Sequence, residues 1–282
     1  MDYTLNIRGR LMSLDTPQVM GILNATPDSF FAGSRKQTEA EIAERANEIV
    51  AQGGSIVDVG AFSTRPGAAE VSQAEEMERL RQALTIVRRE QPDAVVSVDT
   101  FRPDVARMAV EELGADIVND VSEGGVTGIV NKPLLNGGPA DAEVPPMFRM
   151  VARLRVPYIL MAVQPTLRQT LLTFARKVQQ LRDLGQKDII LDPGFGFGKT
   201  MEENYALLGE LERLQVFDLP VLVGISRKSM VYRLLDTDAA HALNGTTVLN
   251  TLALTKGASI LRVHDVREAV ECVKIVDSQN RK

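Results

Sequence analysis

Asp188-Ile189-Ile190-Leu191-Asp192-Pro193-Gly194-Phe195-Gly196-Phe197-Gly198-Lys199 runs from a short apolar stretch through a polar end into a glycine-rich turn. A segment of helical period, Glu203–Leu214, follows it. The same unit recurs in both directions along the chain. Strands are expected at Val19–Asn24, Ser55–Gly60, Ala94–Asp99, Asp116–Asn119, Pro157–Val163, Asp188–Asp192, Val221–Ile225 and Ile260–His264. Helical period covers Thr38–Gln52, Ala74–Glu90, Pro103–Leu113 and Leu167–Leu184 between them. Near-continuous apolar strands separated by helices imply a parallel sheet covered on both faces. Eight such units in one alternation predict the α/β class and a closed (β/α)8 barrel, the TIM barrel, rather than an open doubly wound sheet.

The 282 residues suit one such barrel, which takes about 250, so residues 1–282 read as a single domain. The first ten or so residues predict a short hairpin closing the barrel floor. Residues 123–146, rich in glycine and proline and without a period, predict a long loop after the fourth strand. A net charge of −5 with no block of like charge argues against nucleic acid or an anionic membrane as partner. No apolar run nears the roughly 20 residues of a membrane span, and the polar first residues do not resemble a signal peptide. The expected location is the cytoplasm. The single cysteine, Cys272, excludes an internal disulfide and reads as a small buried hydrophobe.

Barrel enzymes place their chemistry at the C-terminal ends of the strands. Here those ends read Asn24, Asp58, Asp99, Asn119, Met161, Asp192, then Ser226 with Lys228, then Arg262 with His264. One strand-end Asp can be a helix cap. A mixture of carboxylates, amides and cations at one mouth is more than caps require. Asp99, Asn119 and Asp192 suit a heterocycle presenting N–H donors, because a carboxylate takes two parallel N–H groups. Lys228 suits its carbonyl or a ring nitrogen. Arg65, Arg262 and His264 read as a cationic group for a phosphate or diphosphate.

Several residues carry blander readings. His241 reads as a surface helix histidine, and Met77, Met108, Met147 and Met150 as core. The charges of Glu75–Arg81 read as a solvated helix face. Gly194–Gly198 reads as a tight strand-to-helix turn and not as a P-loop.

Seven stretches, in order along nearly the whole chain, resemble the dihydropteroate synthase family. They are Gly21–Phe30, Ser63–Ala68, Ser97–Thr100, Asn119-Asp120, Leu191–Lys199, Gly224–Ser229 and Arg262–Asp265. The resemblance implies condensation of 6-hydroxymethyl-7,8-dihydropterin diphosphate with para-aminobenzoate, and a target for sulfonamides. It implies that Asp99, Asn119, Asp192 and Lys228 hold the pterin, with Met161 on its ring and Phe197 among the substrate-binding residues. It gives Arg262, His264 and Asn24 to the diphosphate and its Mg2+, with Asn24 as the metal ligand. Asn24, Asp28, Arg65, Lys228, Arg262 and His264 make up the catalytic group it implies, and Phe30, Thr64, Arg65, Pro66 and Ser226 line the aminobenzoate site. The helix after the Lys228 turn and the last two, Ala239–Thr255 and Val266–Val276, are apolar over much of their circumference, which predicts a homodimer, and the resemblance points to the same region. The chain departs from the family's pattern at Ala32, where an acidic residue is usual, and after Met161, where Ala162 replaces a histidine. A methyl-transfer barrel that binds methyltetrahydrofolate would share the pterin pocket without needing Arg65, Arg262 and His264. A non-catalytic pterin binder is the other alternative.

Overall fold

A computed structural model describes residues 3–25, 35–62, 71–124 and 144–280. Asp28, Phe30, Ala32, Thr64, Arg65, Pro66 and most of the expected loop 123–146 lie outside these residues.

The chain opens with an antiparallel hairpin, β1 (Thr4–Ile7) and β2 (Arg10–Ser13). Eight parallel strands follow: β3 (Gln18–Asn24), β4 (Ile56–Gly60), β5 (Val95–Asp99), β6 (Ile117–Asp120), β7 (Tyr158–Met161), β8 (Ile189–Asp192), β9 (Leu222–Val223) and β10 (Ile260–Val263). Their order is β8-β7-β6-β5-β4-β3-β10-β9, and an isolated parallel bridge from Leu191 to Val221 joins the two ends. This is the expected barrel. Between the strands run α1 (Arg35–Ala51), α2 (Gln73–Glu90), α3 (Pro103–Glu111), α4 (Pro146–Leu154), α5 (Leu167–Asp183), α6 (Met201–Gly209), α7 (Ser229–Tyr232), α8 (Leu243–Thr255) and α9 (Val266–Asn280).

Local chemistry sets the helix ends. Ser72 accepts from the Glu75 N–H to cap α2, whose acidic first turn (Glu75, Glu76) and basic last turn (Arg88, Arg89) complement the helix dipole. Thr200 and Glu203 form a reciprocal capping box at α6. The run expected as one helix over Glu203–Leu214 divides after Gly209, a poor helix former, and a 3-10 helix occupies Leu211–Phe217. The helix expected from Ala239 starts at Leu243, because the Asp238 carboxylate takes the His241 N–H in a turn first. His241 is thus a surface residue of that turn rather than of a helix.

A period of two divides every barrel strand. One face is outward and aliphatic, including Val57, Val59, Val96, Val98, Leu160, Leu191 and Val263, all buried under the helices. The inward face has layers. At the N-terminal end Met20, Ile56, Ile117, Ile159, Ile190, Leu222 and Ile260 pack with Leu5, Ile7 and Leu14 from the hairpin segment. The hairpin therefore plugs the floor, each such side chain contributing roughly 1.5–3 kcal/mol by burial. Two residues further along five of the strands the same face turns polar, at Asp58, Ser97, Asn119, Asp192 and Arg262. Cys272 is buried with a free thiol, and Met108 and Met147 are buried in the core, whereas Met77 and Met150 are only partly buried. Among the described residues no helix is long and apolar enough to cross a membrane.

Candidate active site

The polar layer converges on Arg262. Its Nε donates to Asp58 Oδ2 at 2.7 Å and its Nη2 to Asp99 Oδ2 at 2.7 Å, so one guanidinium from β10 spans carboxylates of β4 and β5. Asn119 donates to the same Asp58 oxygen at 3.3 Å. Asp58 is fully buried, and the sequence marks it only as a strand end. What reveals it is parity: it stands two residues after Ile56 on the inward face. Burial opposes the charge on Arg262, but Asp58 and Asp99 outweigh it and hold the guanidinium above the arginine norm. Burial pushes Asp99 upward against the pull of Arg262, with Asp58, Glu76 and Asp120 adding to the push.

Three buried oxygens in this layer, Asp58 Oδ1, Asn119 Oδ1 and Ser97 Oγ, have no hydrogen-bond partner among the described residues. A buried polar atom left unpaired costs roughly 1–3 kcal/mol. The carboxylate and amide oxygens can be satisfied only by donors, so the layer is built to receive N–H groups.

Asp192 and Lys228 form the adjoining wall. Gly194 makes it possible: at φ +69 it turns the chain so that its N–H donates to Asp192 Oδ1 at 2.8 Å. A Cβ there would lie 2.3 Å from the Ala162 carbonyl oxygen, which makes glycine a steric requirement. Lys228 donates to the Phe195 carbonyl at 2.5 Å and lies 4.5 Å from the centroid of the Phe197 ring. Burial brings its ammonium down to about 8, against the pull of Asp192 and with help from Arg262 and Lys199. Burial likewise raises Asp192, which Lys228 opposes. Met161 is buried on the same inward face, its Cγ 3.2 Å from where a Gly194 Cβ would stand. Lys199, quoted above only as the end of a motif, donates to the Gly194 carbonyl at 3.0 Å and ties this turn together.

Ser226 and His264 sit together at the ends of β9 and β10, with Oγ 3.1 Å from Nδ1. Burial first, then Arg262, brings His264 down to about 4, with Arg227 and Arg45 adding and Asp265 opposing. In the empty mouth these surroundings favour the neutral imidazole over the expected cation, because burial and the three nearby guanidinium groups all oppose a further positive charge. Arg262 is committed on two nitrogens, and only Nη1 has no partner among the described residues. Asn24 ends β3, exposed at the rim opposite Gly60.

The reading of Glu75–Arg81 as a solvated face holds for Glu75, Glu78 and Arg81, which are exposed, and is corrected for Glu76 and Arg79. Glu76 is fully buried, accepts from Thr100 Oγ1 at 2.6 Å and pairs with Arg102, while Arg79 reaches the Ala61 carbonyl at 3.2 Å. These groups satisfy one another, which a helical wheel cannot show. Glu123 and Lys177 form a second buried ion pair, at 3.0 Å, that the sequence did not announce.

Comparisons with known proteins agree with one another. The family profile described as pterin binding enzyme matches residues 20–264. The chain is 35% identical over 273 residues to the dihydropteroate synthase of Escherichia coli strain K12, covering 96% of this chain and 94% of that protein. It is similar to the structure of Xanthomonas albilineans dihydropteroate synthase with 4-aminobenzoic acid, at TM-score 0.86 and 31% identity over the whole of both chains. It is also similar to the Yersinia pestis enzyme with a pterine-sulfa conjugate, at TM-score 0.80 and 31% identity over 99% of this chain and 98% of that one.

Proposed function

Since the chain belongs to the pterin-binding family, among the dihydropteroate synthases, we propose a division of labour at its mouth for the condensation of 6-hydroxymethyl-7,8-dihydropterin diphosphate with para-aminobenzoate. The observation that carries it is the pair of buried, unpaired acceptors Asp58 Oδ1 and Asn119 Oδ1, beside the carboxylates of Asp99 and Asp192. A pterin's N–H edge meets that demand. The ammonium of Lys228 takes the ring carbonyl, with Met161 and Phe197 against the ring. The diphosphate then faces Arg262 Nη1 and His264. Asp28, Phe30, Thr64, Arg65 and Pro66 complete the aminobenzoate and catalytic groups by family resemblance.

The reaction breaks the C–O bond between the pterin methylene and the diphosphate and forms a C–N bond to the arylamine, which loses one proton. The methylene cation is delocalised into the dihydropterin, so no protein nucleophile is needed. What the chain must supply is charge stabilisation at the leaving oxygens and orientation of the ring. Mg2+ fits a limited role here. Among the described residues no three His, Cys, Asp or Glu side chains gather around one point, and Asn24 offers a single hard oxygen at the rim. One such ligand suits a cation that keeps most of its waters and is shared with phosphate oxygens. When bound, it would neutralise charge on the diphosphate.

Leu234, Leu235, Val248, Leu252 and Ile275 are large apolar side chains left exposed on and near α8 and α9. They support a homodimer through this face. We place the protein in the cytoplasm.

Mixing the two substrates with Mg2+ tests the function: diphosphate release and dihydropteroate formation are expected, and no release with both present would overturn it. Asp192→Asn should weaken pterin binding by calorimetry about five- to 150-fold, the cost of one unpaired buried group. Unchanged binding would mean that the pterin lies elsewhere.

A further inference from the structure

Two hydrogen bonds join Ser226 to His264. The backbone N–H of His264 donates to Ser226 Oγ at 3.1 Å, and the same oxygen lies 3.1 Å from Nδ1 of the ring. The first bond uses the hydroxyl as an acceptor, so its one proton must go elsewhere. Ser226 is buried, and among the described residues the only acceptor its proton reaches is Nδ1. If Nδ1 carried the imidazole proton instead, two N–H groups would point at one oxygen and a buried O–H would have no partner. The network therefore assigns the proton to Nε2.

The surroundings hold this arrangement still. Arg45 donates to the His264 carbonyl at 2.6 Å, and Arg227 grips the neighbouring Asp265 through two nitrogens at 2.8 and 2.9 Å. Neither bond uses the ring, so both fix the backbone while Ser226 alone sets the protonation pattern. We propose that Ser226 is a positioning residue that holds His264 as its neutral Nε2–H tautomer, so that the ring presents a donor rather than a lone pair to the departing diphosphate. This rests on the placement of the diphosphate beside His264. A lone pair at Nε2 would repel phosphate oxygens, whereas an N–H there accepts the charge that develops on them as the C–O bond breaks.

The chain holds two histidines, and the exposed His241 is an internal reference for the buried one. Nitrogen-15 NMR of the full chain at pH 7 should show His264 with a pyrrole-type Nε2 and a pyridine-type Nδ1. Ser226→Thr should keep that pattern, and Ser226→Ala should lose it and drift toward the tautomer mixture of His241. Titration with inorganic pyrophosphate alone should show Ser226→Ala binding about ten- to 150-fold more weakly, the worth of one hydrogen bond to a charged group. His264→Gln, whose amide can place an N–H near the position of Nε2, should bind better than His264→Asn. A proton on Nδ1 in the wild type, or an unchanged tautomer in Ser226→Ala, overturns the proposal. Pyrophosphate affinity unaltered in both His264 variants overturns the diphosphate placement instead, while the tautomer measurement stands by itself.

Discussion

Replacing Lys177 by Met removes one half of a buried ion pair and keeps the side chain's length. The Lys177 and Glu123 side chains are 5% and 4% exposed, their charged atoms 3.0 Å apart. Lys177 also donates to the Glu123 carbonyl at 2.7 Å, while Glu123 Oε1 accepts from the Val163 N–H at 2.8 Å. At an effective dielectric of about 20 the attraction is about 5–6 kcal/mol, but desolvating two ions costs several kcal/mol each. Burial holds the Lys177 amine below the lysine norm even with Glu123 beside it, so desolvation has the upper hand. The pair should therefore add little net stability, yet be costly to break. Lys177→Met strands a carboxylate and should cost about 3–5 kcal/mol. Glu123→Gln keeps an acceptor for Val163 and strands the ammonium, at about 3 kcal/mol. The double variant should lie within about 1–2 kcal/mol of wild type, far from the sum of the singles. Urea unfolding followed by far-UV circular dichroism measures all three, since the chain has no tryptophan to report by fluorescence. Additive losses, or a single-variant cost under about 1 kcal/mol, would refute the reasoning.

Three further outcomes follow from the geometry. The ammonium of Lys228 is intact below about 8 and lost as pH rises through that value, so pterin affinity should fall up to tenfold per unit above it. Calorimetry reads this, with Lys228→Met as control because Lys199 titrates in the same range; a flat profile to pH 10 refutes the lysine–carbonyl contact. Gly194→Ala combines a left-handed backbone with a Cβ 2.3 Å from the Ala162 oxygen. It should lose more than the roughly 1–3 kcal/mol of backbone strain alone, and a melting temperature within about 2 °C of wild type would contradict that. Light scattering should give about twice the 30.9 kDa chain mass, and Leu252→Glu with Ile275→Lys should halve it; a wild-type monomer at micromolar concentration would refute the dimer.

The barrel was legible because both faces of each strand are apolar through their lower half, and that pattern alternates with helical period. Strand ends were read to within one or two residues, β9 included, although only Leu222–Val223 pairs regularly there. The pterin side of the site was legible for the same reason: polar residues interrupt an otherwise apolar strand at its C-terminal end. Charge states were not. His264 looked cationic because the sequence does not show Arg227 and Arg45 converging in space, with Arg262, on a half-buried ring. Glu76 looked solvated because Thr100 and Arg102, which satisfy it, come from the next strand and its turn. Asp58 was visible but had no role until the register placed Arg262 against it.

The barrel closes through its thinnest stave. β9 contributes two paired residues to β10, and only the single bridge of Val221, just before it, reaches β8, whereas β4 pairs five residues on each side. A closed sheet opens first where the fewest hydrogen bonds must break together, so this seam sets where the cylinder breathes. Ser226 and Lys228 stand directly above it, one on each side of the left-handed Arg227. Amide exchange at Leu222 and Val223 should outpace that at Val57 and Val59, and a pterin bridging Lys228 to Asp192 would lace the seam shut. Ligand protection should then be greatest at β9, although most of the expected ligand contacts lie on other strands.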